Sequence, residues 1–236
     1  NLQENKKRQI MKIGIIVAMS KEMALLSPLL EGAAVTSVDG TEFHTGHIGQ
    51  HEIVAMQCGI GKVNAAVGAL TLINNFAPEL VVNTGVAGGA GAAAGILDVV
   101  VADRIAYHDV WCGPGTEPGD AAGCPRFFTT SPAVLGLDAV HPRQGVKHGL
   151  IASGDIFVSR PEEVAHIKGL YPDALAIDME SAAIAQVCYL KGVPFACLRV
   201  ISDTPGAAEN ISQYENFWED APRHTFSLLR EVIGQL

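Results

Sequence analysis

Four acidic side chains follow apolar, β-branched stretches of the sequence: Glu22, Asp178, Glu180 and Asp203. Such stretches are typical of buried strands in a sheet that is covered on both faces. In open α/β sheets, ligands bind beyond the carboxyl ends of the strands, so side chains that follow different strands can meet in one crevice. We therefore expect the four carboxylates to converge on one site, together with Arg199 from inside the last stretch.

The chemistry that suits such a site is the cleavage of a glycosidic bond. A rim of carboxylates with few cations repels phosphates and favours a neutral, hydroxyl-rich ligand or a transition state that becomes cationic. Glycoside cleavage uses one carboxylic acid to protonate the leaving group and one carboxylate to activate water. Glu22 and Asp203 fit these two roles. Glu180 can accept hydrogen bonds from two neighbouring hydroxyls, and Phe157 can stack on a planar leaving group.

The alternative for each carboxylate is a cap at the N-terminus of a helix, which is the commonest use of Asp and Glu after a strand. Capping explains any one of the four by itself, but it requires no convergence. The two interpretations therefore differ in whether the fold brings all four side chains together.

Two glycine-rich segments fall short of nucleotide-binding loops. In residues 59–62 the order is Gly-Ile-Gly-Lys, but Met56 stands where a Walker loop needs glycine, and Val63 replaces Ser or Thr. In residues 85–95, Ala94 occupies the place of the third glycine of a dinucleotide fingerprint. We therefore expect no cofactor of either kind.

Histidines are also weak candidates. The odd spacing of His44 and His47 places them on opposite faces of a strand, so we predict no metal site there. His108 and Asp109 have no Ser or Cys nucleophile in a strained turn near them, so we predict a structural hydrogen-bonded pair instead of a charge relay.

Composition excludes several classes of protein. The chain has 16 basic and 25 acidic residues among 236, a net charge of −9, and no basic cluster beyond residues 6–8, so we predict no nucleic-acid partner. Its five cysteines form no CxxC pair, which favours reduced thiols and a cytoplasmic location. No apolar run reaches the roughly 18 residues of a membrane span. Residues 1–10 are interpreted as an extension outside the fold, and residues 11–236 as a single domain.

The elements that must position the site alternate along the chain, which predicts an α/β fold. We predict buried strands at residues 12–18, 80–83, 174–177 and 195–201, and helices at residues 21–30, 62–75 and 181–190. An antiparallel hairpin at residues 43–45 and 52–57 makes the sheet mixed. A loop at residues 112–125 holds four glycines and three prolines.

Seven ordered segments give the chain a family resemblance from Met11 to its C-terminus: KIGIIVAMSKE (12–22), GIGKVNAA (59–66), NTGVAGG (83–89), YHD (107–109), SGDIFV (153–158), DMESAAIAQVC (178–188) and LRVISD (198–203). The sequence resembles the bacterial 5′-methylthioadenosine/S-adenosylhomocysteine nucleosidases of the nucleoside phosphorylase superfamily. This resemblance implies a three-layer α/β/α fold with a mixed central sheet. It also implies a homodimer, a small adenine nucleoside as ligand, and no metal or organic cofactor.

The same resemblance implies a role for each matching residue. Glu22 would activate the attacking water, Asp203 would protonate N7 of adenine, and Ser202 would orient Asp203. The remaining predicted site residues would hold the substrate. The ribose would contact Glu180, Met179 and Arg199. The adenine would contact Phe157 and the Val158 backbone, and the 5′ tail would contact Met19, Ile60 and Tyr214. A partner subunit would help to close the tail pocket through the loop at residues 111–125.

Two positions depart from the family pattern. Asp178 stands where the family more often has Glu, and the shorter side chain favours a backbone contact over a catalytic role. Val86 has no side-chain hydrogen-bonding group for ribose or water. Phosphorolysis is disfavoured because the first strand is followed in the sequence by Ser20, Lys21 and Glu22 without an Arg, and the Glu22 carboxylate would repel phosphate. A different adenosine derivative, such as 6-amino-6-deoxyfutalosine or 5′-deoxyadenosine, and a non-catalytic nucleoside-binding module are the alternatives.

Overall fold

The structure, a computed structural model, describes residues 9–220 and 222–236. Within these residues the strands are β1 (Lys12–Val17), β2 (Glu31–Val38), β3 (Thr41–Ile48), β4 (His51–Gln57), β5 (Leu80–Gly89), β6 (Val99–Tyr107), β7 (Phe128–Thr129), β8 (Val146–Ser153), β9 (Ala174–Asp178) and β10 (Phe195–Asp203). The helices are α1 (Ser20–Leu26), α2 (Lys62–Phe76), α3 (Pro132–Leu135), α4 (Pro161–Leu170), α5 (Ser181–Lys191), α6 (Asn210–Asp220) and α7 (Pro222–Gln235). Residues 1–8 of the predicted extension at residues 1–10 lie outside the described residues.

All the strands form one mixed sheet in the order β10-β6-β8-β9-β5-β1-β4-β3-β2, with β7 beside β6. β1 pairs in parallel with β4 and β5, whereas β2, β3 and β4 form an antiparallel meander. β10 pairs with β5 as well as with β6, so β5, β9, β8, β6 and β10 close into a ring. The mixed sheet predicted from the sequence is confirmed.

Helices cover both faces of this sheet because its strands are apolar on both. Along β1, Ile13, Ile15 and Val17 pack into a core with apolar residues of α1 and α7. Ile16 points to the opposite face, since successive side chains alternate, and packs with Leu72 of α2. The three layers are therefore helices, sheet and helices, as the family resemblance implied.

The predicted buried strands all occur, and three of them extend further than expected. The predicted helix at residues 21–30 ends early: α1 stops at Leu26, and a 3₁₀ turn, Ser27–Leu29, follows it. Pro28 explains the difference, because proline removes a backbone donor and clashes with the preceding turn of an α-helix.

Some elements were not predicted, namely the strands β2, β6, β7 and β8 and the helices α3, α4, α6 and α7. β2 is an edge strand whose residues are almost all exposed, so it carries no apolar pattern that could mark it.

Among the described residues, no helix is both long enough and apolar enough to span a membrane.

The ring brings the ends of four strands to one place. β1, β5 and β10 run parallel, so their carboxyl ends lie at the same edge of the sheet. β9 runs antiparallel to β5 and pairs only with its last residues, Gly88 and Gly89. This short crossing sets the end of β9 beside the end of β5, and with it the start of α5.

Candidate active site

A pocket opens at the shared ends of these strands and contains about 610 Å³ of empty space, its open mouth included. All four carboxylates identified in the sequence line it. So do the other predicted site residues, namely Met19, Ile60, Phe157, Val158, Met179, Arg199, Ser202 and Tyr214.

Glu22 lies at the start of α1 with its carboxylate fully engaged. Its Oε2 accepts the backbone N–H groups of Ala18 and Met19 at 2.8 and 2.9 Å, and its Oε1 accepts the Val86 N–H at 3.0 Å. Burial raises the pKa of Glu22, while the Arg199 cation and the three backbone donors oppose that rise. Glu22 therefore sits buried with strong partners for its ionised form.

The close approach of Glu22 to β5 depends on a glycine. Gly85 has a φ of +150°, and a Cβ at this position would overlap both the Glu22 carboxylate and the Arg199 guanidinium. The backbone of β5 can thus reach these charged groups only because residue 85 has no side chain.

Arg199 is the cation at the centre of the site. Its Nη2 lies 2.6 Å from Asp178 Oδ2 and 3.4 Å from Glu180 Oε2, and it donates to Asn83 Oδ1 at 2.8 Å. Burial by itself would lower the pKa of Arg199, but the nearby carboxylates, Glu22 among them, raise it above its ordinary value. The guanidinium therefore stays charged and holds the carboxylates around it.

Glu180 precedes α5 and reaches across to the start of α2. Its Oε1 accepts the Gly61 N–H at 3.0 Å. Burial raises the pKa of Glu180 to about 7, with the Arg199 cation acting in the opposite direction. Its protonation state is therefore poised near neutral pH.

Asp203 has different surroundings. Ser202 Oγ donates to its Oδ1 at 2.5 Å, and the side-chain amide of Asn210 donates to its Oδ2. Burial raises the pKa of Asp203, and these two hydrogen bonds lower it. Gly88 of β5 leaves the space beside Asp203 that Pro205 fills.

Capping and convergence both occur. Glu22 accepts N–H groups at the start of α1, and Asp178 accepts the N–H and the hydroxyl of Ser181 at the start of α5. Asp178 thus makes a backbone contact, and it is also ion-paired with Arg199. Glu22 and Asp178 therefore cap the N-termini of helices and face the pocket at the same time.

Two aromatic side chains form part of the pocket lining. The rings of Phe157 and Tyr214 meet edge to face with their centroids 5.6 Å apart. The Tyr214 hydroxyl lies 3.2 Å from Met19 Sδ. Phe157 and Ile60 are about half exposed at the mouth.

A polar network holds the loop that carries Phe157. Lys62 donates to Asp155 Oδ1 from its backbone N–H at 2.7 Å and to Asp109 Oδ2 from its Nζ at 2.8 Å. Asp109 Oδ2 also accepts the Asp155 N–H at 2.8 Å. The predicted His108–Asp109 hydrogen-bonded pair is wrong, because Asp109 turns to Lys62 and the His108 ring packs against Gly154 instead.

Two polar residues of the site were assigned no role from the sequence. Asn83 of β5 accepts a hydrogen bond from Arg199, and no motif singled it out. Asn210 gave no signal, because it lies on a helix that was not predicted. Val86 contributes its backbone N–H, a group that every residue except proline carries.

Comparison with known proteins identifies the family to which this architecture belongs. The sequence model described as "Phosphorylase superfamily" matches residues 12–234. A 5′-methylthioadenosine/S-adenosylhomocysteine nucleosidase of Bacillus cytotoxicus is 36% identical over 231 residues, which cover 96% of this chain and 100% of the relative.

Solved structures agree with the sequence relatives. An S-adenosylhomocysteine nucleosidase from Streptococcus pyogenes, in complex with 5-methylthiotubericidin, superposes with a TM-score of 0.92 at 35% identity, covering 98% of this chain and 99% of that one. A futalosine hydrolase of Helicobacter pylori superposes with a TM-score of 0.87 at 30% identity, covering 96% of this chain and 99% of that one.

Replacement of the central cation should destabilise the folded protein. Arg199→Met leaves two buried carboxylates without their ion-pair partner, so we expect the free energy of unfolding to fall by about 3–5 kcal/mol. The pKa of Glu180 is already raised and will rise further, and a raised carboxyl pKa costs stability as pH rises through it. Urea unfolding should therefore show a larger loss at pH 8 than at pH 5.

The matched control is Arg160→Met. Arg160 pairs with Glu163 at 2.6 Å on the surface, with a largely exposed side chain, and such pairs contribute little to stability. An Arg199→Met variant as stable as the control at both pH values would contradict the central role of Arg199.

Proposed function

This chain belongs to the phosphorylase superfamily and, within it, to the 5′-methylthioadenosine/S-adenosylhomocysteine nucleosidase family, and on that basis we propose that it hydrolyses the N-glycosidic bond of these two nucleosides. The products are adenine and the 5′-thio-substituted ribose. The observation that carries the proposal is that two buried carboxyl groups, Glu22 and Asp203, line one pocket in contrasting electrostatic surroundings.

Glu22 is the general base that activates water. Three backbone N–H groups and the nearby Arg199 cation favour its ionised form, and its raised pKa makes it a stronger base than an exposed carboxylate. The N–H groups that donate to Glu22 belong to the segment before α1 and to β5.

Asp203 is the general acid for the leaving base. No cation contributes to its pKa shift, and burial raises that pKa, so the carboxyl retains a proton closer to neutral pH than an exposed Asp does. The proton passes to N7 of adenine, and the electron pair of the N-glycosidic bond leaves with the neutral base. Ser202 orients the acid through its 2.5 Å hydrogen bond.

Glu22 and Asp203 approach β5 at different residues. Glu22 contacts Gly85, and Asp203 lies beside Gly88, three residues further along the same strand. In the proposed reaction they therefore act from separate points of the pocket lining.

The other pocket residues bind the substrate. Glu180 accepts from the two ribose hydroxyls, with Met179 and Arg199 beside the sugar. Phe157 stacks on adenine, and the backbone of Val158 contacts the edge of the base. Met19, Ile60 and Tyr214 surround the 5′ tail, and the exposure of Ile60 supports a tail that faces the mouth of the pocket.

Water is favoured over phosphate as the nucleophile. Arg199 is the only Lys or Arg among the described residues that line the pocket, and Asp178, Glu180 and Asn83 already occupy it. A phosphate dianion beside Glu22 would face a carboxylate with no free cation to offset the repulsion.

A second candidate substrate is an adenosine derivative with another 5′ group. The Helicobacter pylori neighbour described as a futalosine hydrolase shares this fold at 30% identity. An apolar tail pocket selects size more than chemical identity, so its lining does not separate such substrates strongly.

We also propose a homodimer. Three apolar side chains of α2, Val63, Val67 and Leu70, are exposed in the single chain, and they follow Ile60 of the tail pocket. Apolar side chains grouped in this way mark interaction surfaces more often than free surface. A second copy seated there would close the tail pocket, with the loop at residues 111–125 contributing. A cytoplasmic location remains a prediction from the sequence.

Hydrolysis is tested by adenine release from 5′-methylthioadenosine, S-adenosylhomocysteine and 5′-deoxyadenosine, with and without inorganic phosphate. We expect release from the first two at a rate that phosphate does not change. Product analysis should show the free thio-sugar instead of a sugar phosphate. A rate that requires phosphate would refute hydrolysis, and binding without adenine release would indicate a nucleoside-binding module.

The roles of the two carboxyl groups are tested by isosteric amides. Glu22→Gln removes the base and Asp203→Asn removes the acid, so each should lower kcat by at least about 100-fold while ligand binding is largely retained. Equilibrium binding of a non-hydrolysable nucleoside analogue provides the control for a preserved pocket. Near-normal turnover by either variant would show that its assigned role is wrong.

The dimer is tested by Val67→Glu, which places a charge in the exposed apolar face of α2. We expect a monomer in sedimentation velocity and a raised KM for the nucleoside, because the tail pocket loses its second wall. Val35→Glu, a similarly exposed valine on edge strand β2, should remain dimeric with an unchanged KM. Identical sedimentation of the two variants would argue against this interface.

A further inference from the structure

Asn210 is a buried amide that touches the proposed acid. It is the first residue of α6 and is only 2% exposed, and its Nδ2 donates to Asp203 Oδ2. Its Oδ1 is buried and has no hydrogen-bond partner among the described residues. A buried acceptor without a partner costs free energy of folding, so the presence of this amide beside a reacting group needs an explanation.

We propose that Asn210 is a positioning residue for the general acid: it fixes the orientation of the Asp203 carboxyl and stabilises the carboxylate that remains once the proton has moved to adenine. This inference rests on the proposed function of Asp203. It adds a residue from outside the set that lines the pocket.

The proton balance of the step explains the choice of an amide. Before the reaction Asp203 is a carboxylic acid, and afterwards it is an anion whose proton is on N7 of adenine. The Asn210 Nδ2 group and the Ser202 hydroxyl both donate to the anion. A rotated Asn210 amide presents Oδ1 instead, which accepts a hydrogen bond from the protonated acid. Both states of Asp203 therefore have a partner.

The position of Asn210 links the acid to closure of the pocket. Tyr214, which lines the tail end, lies four residues later on α6 and therefore on the same face of that helix. The hydrogen bond between Asn210 and Asp203 exists only when α6 is docked on β10. Asp203 is thus held in place in the same arrangement that brings Tyr214 over the substrate tail.

Another contact makes the same structural attachment without touching the acid. Gln213 Oε1 accepts the Thr204 N–H at 2.8 Å, which also fastens α6 to the segment after β10. Gln213→Ala is therefore a matched control, because it removes one contact of α6 with this segment and none of the side chains that contact Asp203.

The other titratable and charged groups that line the pocket stay constant in this comparison. They are Glu22 from α1, Asp178 from β9, Glu180 at the start of α5, Arg199 from β10 itself and Tyr214 from α6. Donation by Asn210 lowers the pKa of Asp203 against the effect of burial. Removal of this donor raises that pKa, so the acid keeps its proton to higher pH.

The experiment measures single-turnover rates of adenine release from 5′-methylthioadenosine between pH 5 and 10, and the steady-state KM at pH 7. For Asn210→Ala we expect the rate at pH 7 to fall about tenfold or more, with KM changed less than about threefold. The alkaline limb should move up by about one pH unit. Asn210→Asp keeps the shape but sets a carboxylate beside Asp203, so its alkaline limb should move up further. Gln213→Ala should raise KM with its alkaline limb unmoved.

Three outcomes would overturn the proposal. The first is an alkaline limb that does not move in either Asn210 variant, and the second is a shift that Gln213→Ala reproduces. The third is loss of folding in both Asn210 variants, measured by thermal unfolding, which would assign Asn210 to structure alone. Failure of the proposed function is distinguishable, because the wild-type enzyme would then release no adenine, or Asp203→Asn would retain its activity.

Discussion

The site depends on one buried guanidinium. Arg199 shares a single pocket with Glu22, Asp178 and Glu180, all nearly inaccessible to solvent, and it is the cation around which they are arranged. Burying ionised groups is costly unless they are paired and hydrogen-bonded. The guanidinium, together with Asn83 and several backbone N–H groups, meets that requirement. It leaves the pocket with a net negative character, which suits a sugar whose transition state becomes cationic.

The carboxylates perform two tasks at once. Glu22 satisfies N–H groups at the start of α1, and Asp178 does the same at the start of α5. A helix N-terminus offers unpaired donors and a partial positive charge, which hold a carboxylate in one orientation. Capping therefore supports the chemistry, since a rigidly held carboxylate is one already in place for reaction. The two interpretations that opposed each other at the level of sequence are compatible in the folded chain.

The contrast between Glu22 and Asp203 arises from what surrounds them. Both are buried, and burial raises both pKa values. Only Glu22 has a cation and three backbone donors nearby, whereas Asp203 has a hydroxyl and an amide, each able to donate or accept. Neutral, amphoteric partners suit a group that must hold a proton and then release it. This difference separates the proposed base from the proposed acid without any difference in their chemical type.

Apolar periodicity and local motifs predicted the α/β class, four of the buried strands and the helices α2 and α5, because they report on burial and on strand ends. The family resemblance named most of the residues that line the pocket. The buried strands β6 and β8 were not predicted, nor were β2, whose exposed residues carry no pattern, and Asn210, whose partner lies on another element. Three features became visible in the folded chain alone: β9 crosses the end of β5, Arg199 lies among the carboxylates, and Asp109 pairs with Lys62 instead of His108. These outcomes depend on the closing of the ring between β5 and β10 and on the charges that it buries together, and interactions between residues so distant in sequence leave no local pattern in the chain.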